Sequence, residues 1–184
     1  MIRRSLLTLA LAASTAPAWA QFDSMTQKPI VAAVRAGDEE KVRQALLKGE
    51  NPNQSDSSGR PLVMIATMDG SVAVVEALLK GGGLPDSTDR DGYTSLIRAA
   101  EKGDVDIADV LLKRNARPNA QTRQGVTAMM VASRLGHAEI VRLLLARKAD
   151  PNVPDFTGRT ALTYARQGGR TPIEAMLRKA GARE

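Results

Sequence analysis

The chain has 184 residues, a formal net charge of +6 and no cysteine. Without a thiol there can be no disulfide, thiolate metal site, cysteine nucleophile or lipid-modified N-terminal cysteine, so the fold must be held by packing alone. So mild a charge excess suits an anionic partner or surface but does not call for nucleic acid.

The first twenty residues read as a secretory signal peptide and not as part of the fold. Met1-Ile2-Arg3-Arg4 is a positive start, residues 6–13 (LLTLALAA) are an apolar run, and Ala18-Trp19-Ala20 places small residues around a cut. A buried amphipathic helix fits less well, because the charges sit only at the front. The run is also far shorter than the roughly 20 residues a membrane-spanning helix needs. Cleavage is expected after Ala20, leaving residues 21–25 as a linker. Arg3-Arg4 would also suit a twin-arginine route, but the ordinary secretory route is the default. Loss of Arg3 and Arg4 lowers the charge to +4, and Trp19, the only tryptophan, leaves with them. No other stretch approaches transmembrane length. The expectation is a soluble monomer of the periplasm or extracellular space, bacterial because the signal is compact and alanine-rich.

Along the rest of the chain, residues recur at a spacing of 33. Gly37, Gly70, Gly103, Gly136 and Gly169 form one column, and Pro52, Pro85, Pro118 and Pro151 another. Gly59, Gly92, Gly125 and Gly158 share the offset, as do Thr94, Thr127 and Thr160. Ala66, Ala99, Ala132 and Ala165 fall in register, and so do Leu78, Leu111, Leu144 and Leu177. Each unit has a local reading. Glycine permits a tight turn, and Thr two residues later can cap a helix through its side-chain oxygen. Met129, Val131, Ala132 and Leu135 then make a helical apolar stripe ending near Gly136, and residues 138–147 repeat the pattern with Ile140, Val141, Leu143, Leu144 and Leu145. Lys148-Ala149-Asp150-Pro151-Asn152 breaks the second helix. Neither helix can bury its apolar face alone, so neighbouring units must stack.

These motifs resemble the ankyrin-repeat family over residues 26–182. The second unit holds Asp56, Gly59, Pro61, Gly70 and Leu78-Leu79. The third holds Asp89, Gly92, Thr94, Leu96, Ala99-Ala100, Gly103, Leu111-Leu112 and Pro118-Asn119. The fourth is closest, with Gly125-Val126-Thr127, Ala132, Gly136-His137, Ile140-Val141, Leu144-Leu145 and Ala149-Asp150-Pro151-Asn152. The resemblance implies an all-α solenoid of about five stacked helix-turn-helix units with protruding turns: 26–58, 59–91, 92–124, 125–157 and 158–182. The outer two are read as caps, since Thr26 replaces the turn glycine and Arg178 replaces a usually buried leucine. Thr171-Pro172 is expected to open the last helix, Thr as cap and Pro at its first position. The family's helix-opening Thr-Pro-Leu-His becomes Thr94-Ser95-Leu96-Ile97 and Thr127-Ala128-Met129-Met130. Losing that histidine implies more loosely tied loops.

No constellation points to catalysis, a cofactor or a metal. His137 is the single histidine and is expected to cap the fourth unit's second helix. Gly81-Gly82-Gly83 lacks the Lys-Ser/Thr of a phosphate-binding loop. Glu39-Glu40 and Asp104/Asp106 stand at helix starts, where they suit the positive end of the dipole. Asn53-Gln54-Ser55 matches a glycosylation acceptor, a pattern too short to be specific.

The family binds other proteins with its turn tips and the concave face of its first helices. The matching tip residues here include Arg60, Arg90, Tyr93, Arg123, Phe156 and Arg159, and the helix-end residues include Met68, Lys102, Arg134 and Leu135. Tyr93, Leu135, Phe156 and Met68 are apolar side chains at positions the fold should expose, interleaved with arginines. Aromatic anchors with arginine are what binding hot spots favour. The expected function is therefore a non-catalytic scaffold whose partner is another protein. Two alternatives stay open: an accessory in peroxide-stress protection, and an inhibitor or immunity protein for a toxin or hydrolase.

Overall fold

The computed structural model describes residues 29–183. The signal-peptide, cleavage and linker expectations, and Thr26, lie outside the described residues. Among the described residues ten helices follow in pairs. They are α1 (Pro29–Arg35) with α2 (Glu39–Leu47), α3 (Leu62–Asp69) with α4 (Val72–Lys80), and α5 (Ser95–Lys102) with α6 (Val105–Lys113). Then come α7 (Ala128–Leu135) with α8 (Ala138–Ala146), and α9 (Ala161–Gln167) with α10 (Thr171–Lys179). The first helices of the pairs pack on one another in chain order, and so do the second helices, which makes two layers. Among the described residues there is no strand. Isolated bridges between Ser55 and Pro61, Thr88 and Thr94, and Gln121 and Thr127 mark where a long loop doubles back. The architecture is the all-α repeat solenoid the register implies.

The repeating columns are the core. Leu78, Leu111, Leu144 and Leu177 are fully buried, as are Ala66, Ala99, Ala132 and Ala165. Burying each leucine contributes about 1.5–3 kcal/mol, while alanine adds little bulk where layers meet. Arg178, one residue past Leu177, is exposed where Leu79 and Leu112 of earlier units are buried.

Local chemistry sets the helix ends. Thr94 and Thr127 accept from Ile97 N and Met130 N, each at 3.3 Å, as expected of caps. Thr160 makes no such bond, and its hydroxyl is buried without a partner. Gly70, Gly103 and Gly136 close their helices in the left-handed region, with φ of 78°, 77° and 93°. Asp104 caps α6 through Ile107 N at 3.0 Å, and Glu39, Glu40 and Asp106 lie in first turns.

Two expectations need correction. His137 is the N-cap residue of α8, its carbonyl accepting from Val141 N at 3.1 Å, but its side chain makes no capping hydrogen bond. Its ring lies instead over Gly103, where an added Cβ would meet it at 2.7 Å. Thr171 is inside α10, and Arg170 is the residue before it. The Arg170 carbonyl accepts from Ile173 N and Glu174 N at 2.9 and 3.0 Å, so the ladder starts one residue early.

Asparagine and aspartate tie the long loops three residues before the acceptor of each turn tip. Asn53, Asp86, Asn119 and Asn152 each accept, at 2.7–3.0 Å, from the backbone N–H 31 residues later: Leu84, Arg117, Asp150 and Arg183.

Candidate partner-binding surface

Each turn tip is built around one buried acceptor. Asp56 holds the N–H groups of Ser58 and Arg60 at 2.9 and 3.0 Å, and Asp89 those of Asp91 and Tyr93 at 3.0 and 2.9 Å. Thr122 takes the role with a hydroxyl, at 3.2 Å to Gln124 N and 3.1 Å to Val126 N. Asp155 holds Thr157 N and Arg159 N at 2.8 and 2.9 Å. The tip glycines have almost one shape, with φ of 81° at Gly59, 82° at Gly92, 81° at Gly125 and 83° at Gly158. Only glycine adopts that region without cost. At Gly92 and Gly125 space demands it too, because a Cβ would lie 2.9 Å from Arg123 N and 2.7 Å from Phe156 N.

That close approach lets neighbouring tips bond directly. Arg123 N donates to Asp91 O and Phe156 N to Gln124 O, both at 3.1 Å. Gln121 adds a bridge, its side-chain amide donating to Gly125 O at 2.8 Å and Pro154 O at 2.9 Å. The expectation of loosely tied loops is therefore corrected. Backbone pairing and the Asp/Thr and Asn/Asp columns tie them in place of the missing histidine.

Asp155 and Asp56 are the most heavily bonded of these acceptors. Besides the two backbone groups Asp155 accepts from Thr157 Oγ1 at 2.7 Å, Tyr164 OH at 2.8 Å and Arg159 Nε at 2.9 Å. Burial by itself would raise its pKa, but the bonds from Thr157, Arg159 and Tyr164 outweigh it and hold the carboxyl well below the usual range. Asp56 follows the same pattern: burial opposes ionisation, while bonds from Arg60 and Arg35 lower its pKa.

The predicted residues fall into distinct places. Phe156 is 75% exposed and Met68 is 37% exposed, as expected. Tyr93 and Leu135 are only half-buried surfaces, packed against the core, which corrects the expectation that they stand free. Arg98 covers the Tyr93 ring at 3.7 Å, so that ring has one face already occupied. Arg60 and Arg159 are committed to Asp56 and Asp155 by ion pairs of 2.8 and 2.9 Å. Arg90 lies over Gly59 and reaches Ser57 O at 3.5 Å, and Lys102 reaches Met68 O at 2.5 Å. Arg123 and Arg134 are exposed and form no ion pair among the described residues.

An open groove of about 340 Å³ brings Tyr93, Arg134 and Arg159 together with Glu101, Val126, Val131, Tyr164 and Gln167. A smaller depression of about 220 Å³ joins Arg60 and Met68 with Arg35, Ile65 and Asp69. Phe156, Arg90, Arg123, Lys102 and Leu135 lie in neither. Sequence reasoning missed Arg98 and Tyr164. Both sit in a column whose other members are Ala32, Ile65 and Val131, and a charge or phenol among aliphatics was the available signal.

Among the described residues no group of His, Cys, Asp or Glu could hold a metal ion, and no helix is long and apolar enough to cross a membrane. No curated protein matches the chain. Family models do match, one described as ankyrin repeats (3 copies) over residues 30–122 and one as ankyrin repeats (many copies) over residues 111–165. Such repeats mediate protein–protein interaction and are typically non-catalytic. With two layers of paired helices, bonded turn tips and both matches in hand, the chain belongs to the ankyrin-repeat family.

Proposed function

We propose that this protein is an exported, non-catalytic scaffold of the bacterial periplasm that holds a protein partner against its turn tips and first-helix layer. The observation that carries the binding face is the groove in which Tyr93, Arg134 and Arg159 converge with Tyr164. Its floor is fixed by the Asp155 bonds and its mouth by paired tips, so a partner meets a surface already ordered. Preorganisation of that kind lowers the entropic cost of association. Export rests on the order of positive start, apolar run and small residues in the first twenty positions.

The test is capture of envelope proteins by the chain lacking residues 1–20, compared with a variant carrying Tyr93→Ala, Arg134→Ala and Phe156→Ala. A specific partner retained by the parent and lost by the folded variant is the expected result. A partner bound equally by both would remove this face from the proposal. Fractionation of cells expressing the tagged full chain checks export: an uncut protein in the cytoplasm would sink that half.

A further inference from the structure

Hydrogen-bonding capacity in the groove is lopsided. The carboxylate beneath it, Asp155, is 4% exposed and has both oxygens occupied, and Tyr164 OH donates to Asp155 while accepting from Arg159 Nη2 at 3.2 Å. The rim carboxylate, Glu101, is engaged by Arg98 Nη1 at 3.0 Å. Arg98 also spends Nη2 on Asp89 at 3.0 Å. Asp155 and the Tyr164 hydroxyl are thus answered from within the protein and Glu101 is paired through one oxygen, while several donors are unanswered. Arg134 is exposed and pairs with no carboxylate, and Arg159 uses Nε and Nη2 but not Nη1. Arg159 stands over the Tyr164 ring at 5.1 Å, and Arg134 lines the same groove. Arg123 and Lys102, on the flanking tip and helix end, also lack an ion pair among the described residues. Apolar walls come from Val126, Val131 and the Tyr93 ring edge.

A site whose buried carboxylate is filled, with spare forked donors and apolar walls, matches one kind of occupant. Resting on the binding face proposed above, we infer that the groove receives an extended acidic segment of the partner protein. One of its carboxylates would be held between Arg134 and Arg159, with a neighbouring apolar side chain against Val126 and Val131. Guanidinium pairs recognise carboxylates through parallel N–H donors, so charge and shape both select the acid.

The probe is a fluorescein-labelled peptide in which Glu alternates with Leu and Tyr, set beside versions with Gln or Lys in place of Glu. Binding to the chain lacking residues 1–20 is read by anisotropy, and its location by amide NMR shifts. The acidic peptide is expected to bind and to shift Val126, Val131 and Gln167. About tenfold weakening is expected with the Gln version, with Arg134→Glu and at high salt. Arg142→Glu, a charge reversal on the second-helix layer, should leave binding unchanged. Equal binding of the Gln peptide, shifts on the second-helix layer, or tighter binding of oligo-dT or anionic vesicles than of the acidic peptide would overturn the inference. The two readings fail separately. A captured partner lost with the triple alanine variant but indifferent to Arg134→Glu overturns the acidic segment and leaves the face. A partner indifferent to both overturns the face as well.

Discussion

At the tip of residues 122–126 a neutral hydroxyl holds two backbone N–H groups at 3.2 and 3.1 Å. At the tip of residues 155–159 a buried carboxylate holds two backbone groups, a hydroxyl, a phenol and a guanidinium at 2.7–2.9 Å. The turns nonetheless have nearly the same glycine geometry, with φ of 81° and 83°. The difference lies in what surrounds them. The Thr122 tip is bonded on both sides, through Arg123 N to Asp91 O and through Phe156 N to Gln124 O. The Asp155 tip has a neighbour on one side only among the described residues, and its own carboxylate network supplies the rest. Of these two tips the interior one is stabilised by its stack and the terminal one by its own charge, while the interior Asp89 tip combines both devices.

The sharpest way to break that comparison is to crowd the stacked side. Gly125→Ala combines a left-handed alanine with a Cβ 2.7 Å from Phe156 N, and should cost about 2–5 kcal/mol. Gly158→Ala meets nothing within 4 Å and should show only the conformational share, about 1–2 kcal/mol. Urea unfolding of both variants decides it, and equal losses would remove the role assigned to stacking.

Removing the charge comes next. Asp155→Asn leaves the shape but weakens the network, with an expected loss of about 2–3 kcal/mol at neutral pH. The pH dependence has a definite sign. The folded carboxyl titrates below its ordinary value of 3.8, so its stabilisation is full above that value and drains away as pH falls further. The parent should therefore lose stability below about pH 4, and the variant should lose less over the same span. An unchanged acid profile in Asp155→Asn would contradict the account.

Thr122→Val should cost about 1–2 kcal/mol, with no pH dependence of its own, because no charge is removed. The smallest effect belongs to the start of the long loop, just after α8. Lys148 has φ of 61° in a column where Gly49, Gly82 and Gly181 adopt 85°, 92° and 90°. Lys148→Gly should raise stability by up to about 1 kcal/mol in thermal or urea melts, the relief of strain being partly offset by glycine's entropy.

Much of the fold was legible because a repeat writes each structural requirement several times over. Leu78 to Leu177 and Ala66 to Ala165 recur in register, and the same columns are the buried core. The site was less legible. Tip positions such as Arg60 and Arg159 were found, but nothing in spacing tells a free arginine from one clamped to an aspartate four residues earlier. Tyr93 was picked out as an exposed anchor, yet Arg98 covers one face of its ring. Tyr164 was passed over because its column reads as core, and its buried phenol turns out to form the groove floor.

The sequence by itself determined the helix pairs, the stacking period, the turn glycines and the candidate face, since these depend on local conformation and on periodic burial. Only the tertiary structure decided which donors remain available, which aromatic ring is covered and how loops without the family's histidine are tied. The clamped arginines and the covered ring depend on side-chain geometry across four or five residues, and the loop ties on groups 31 or more residues apart, such as Leu84 N on Asn53 and Arg123 N on Asp91. Such ties are fixed by how one unit settles on the next, which no single unit's residues specify.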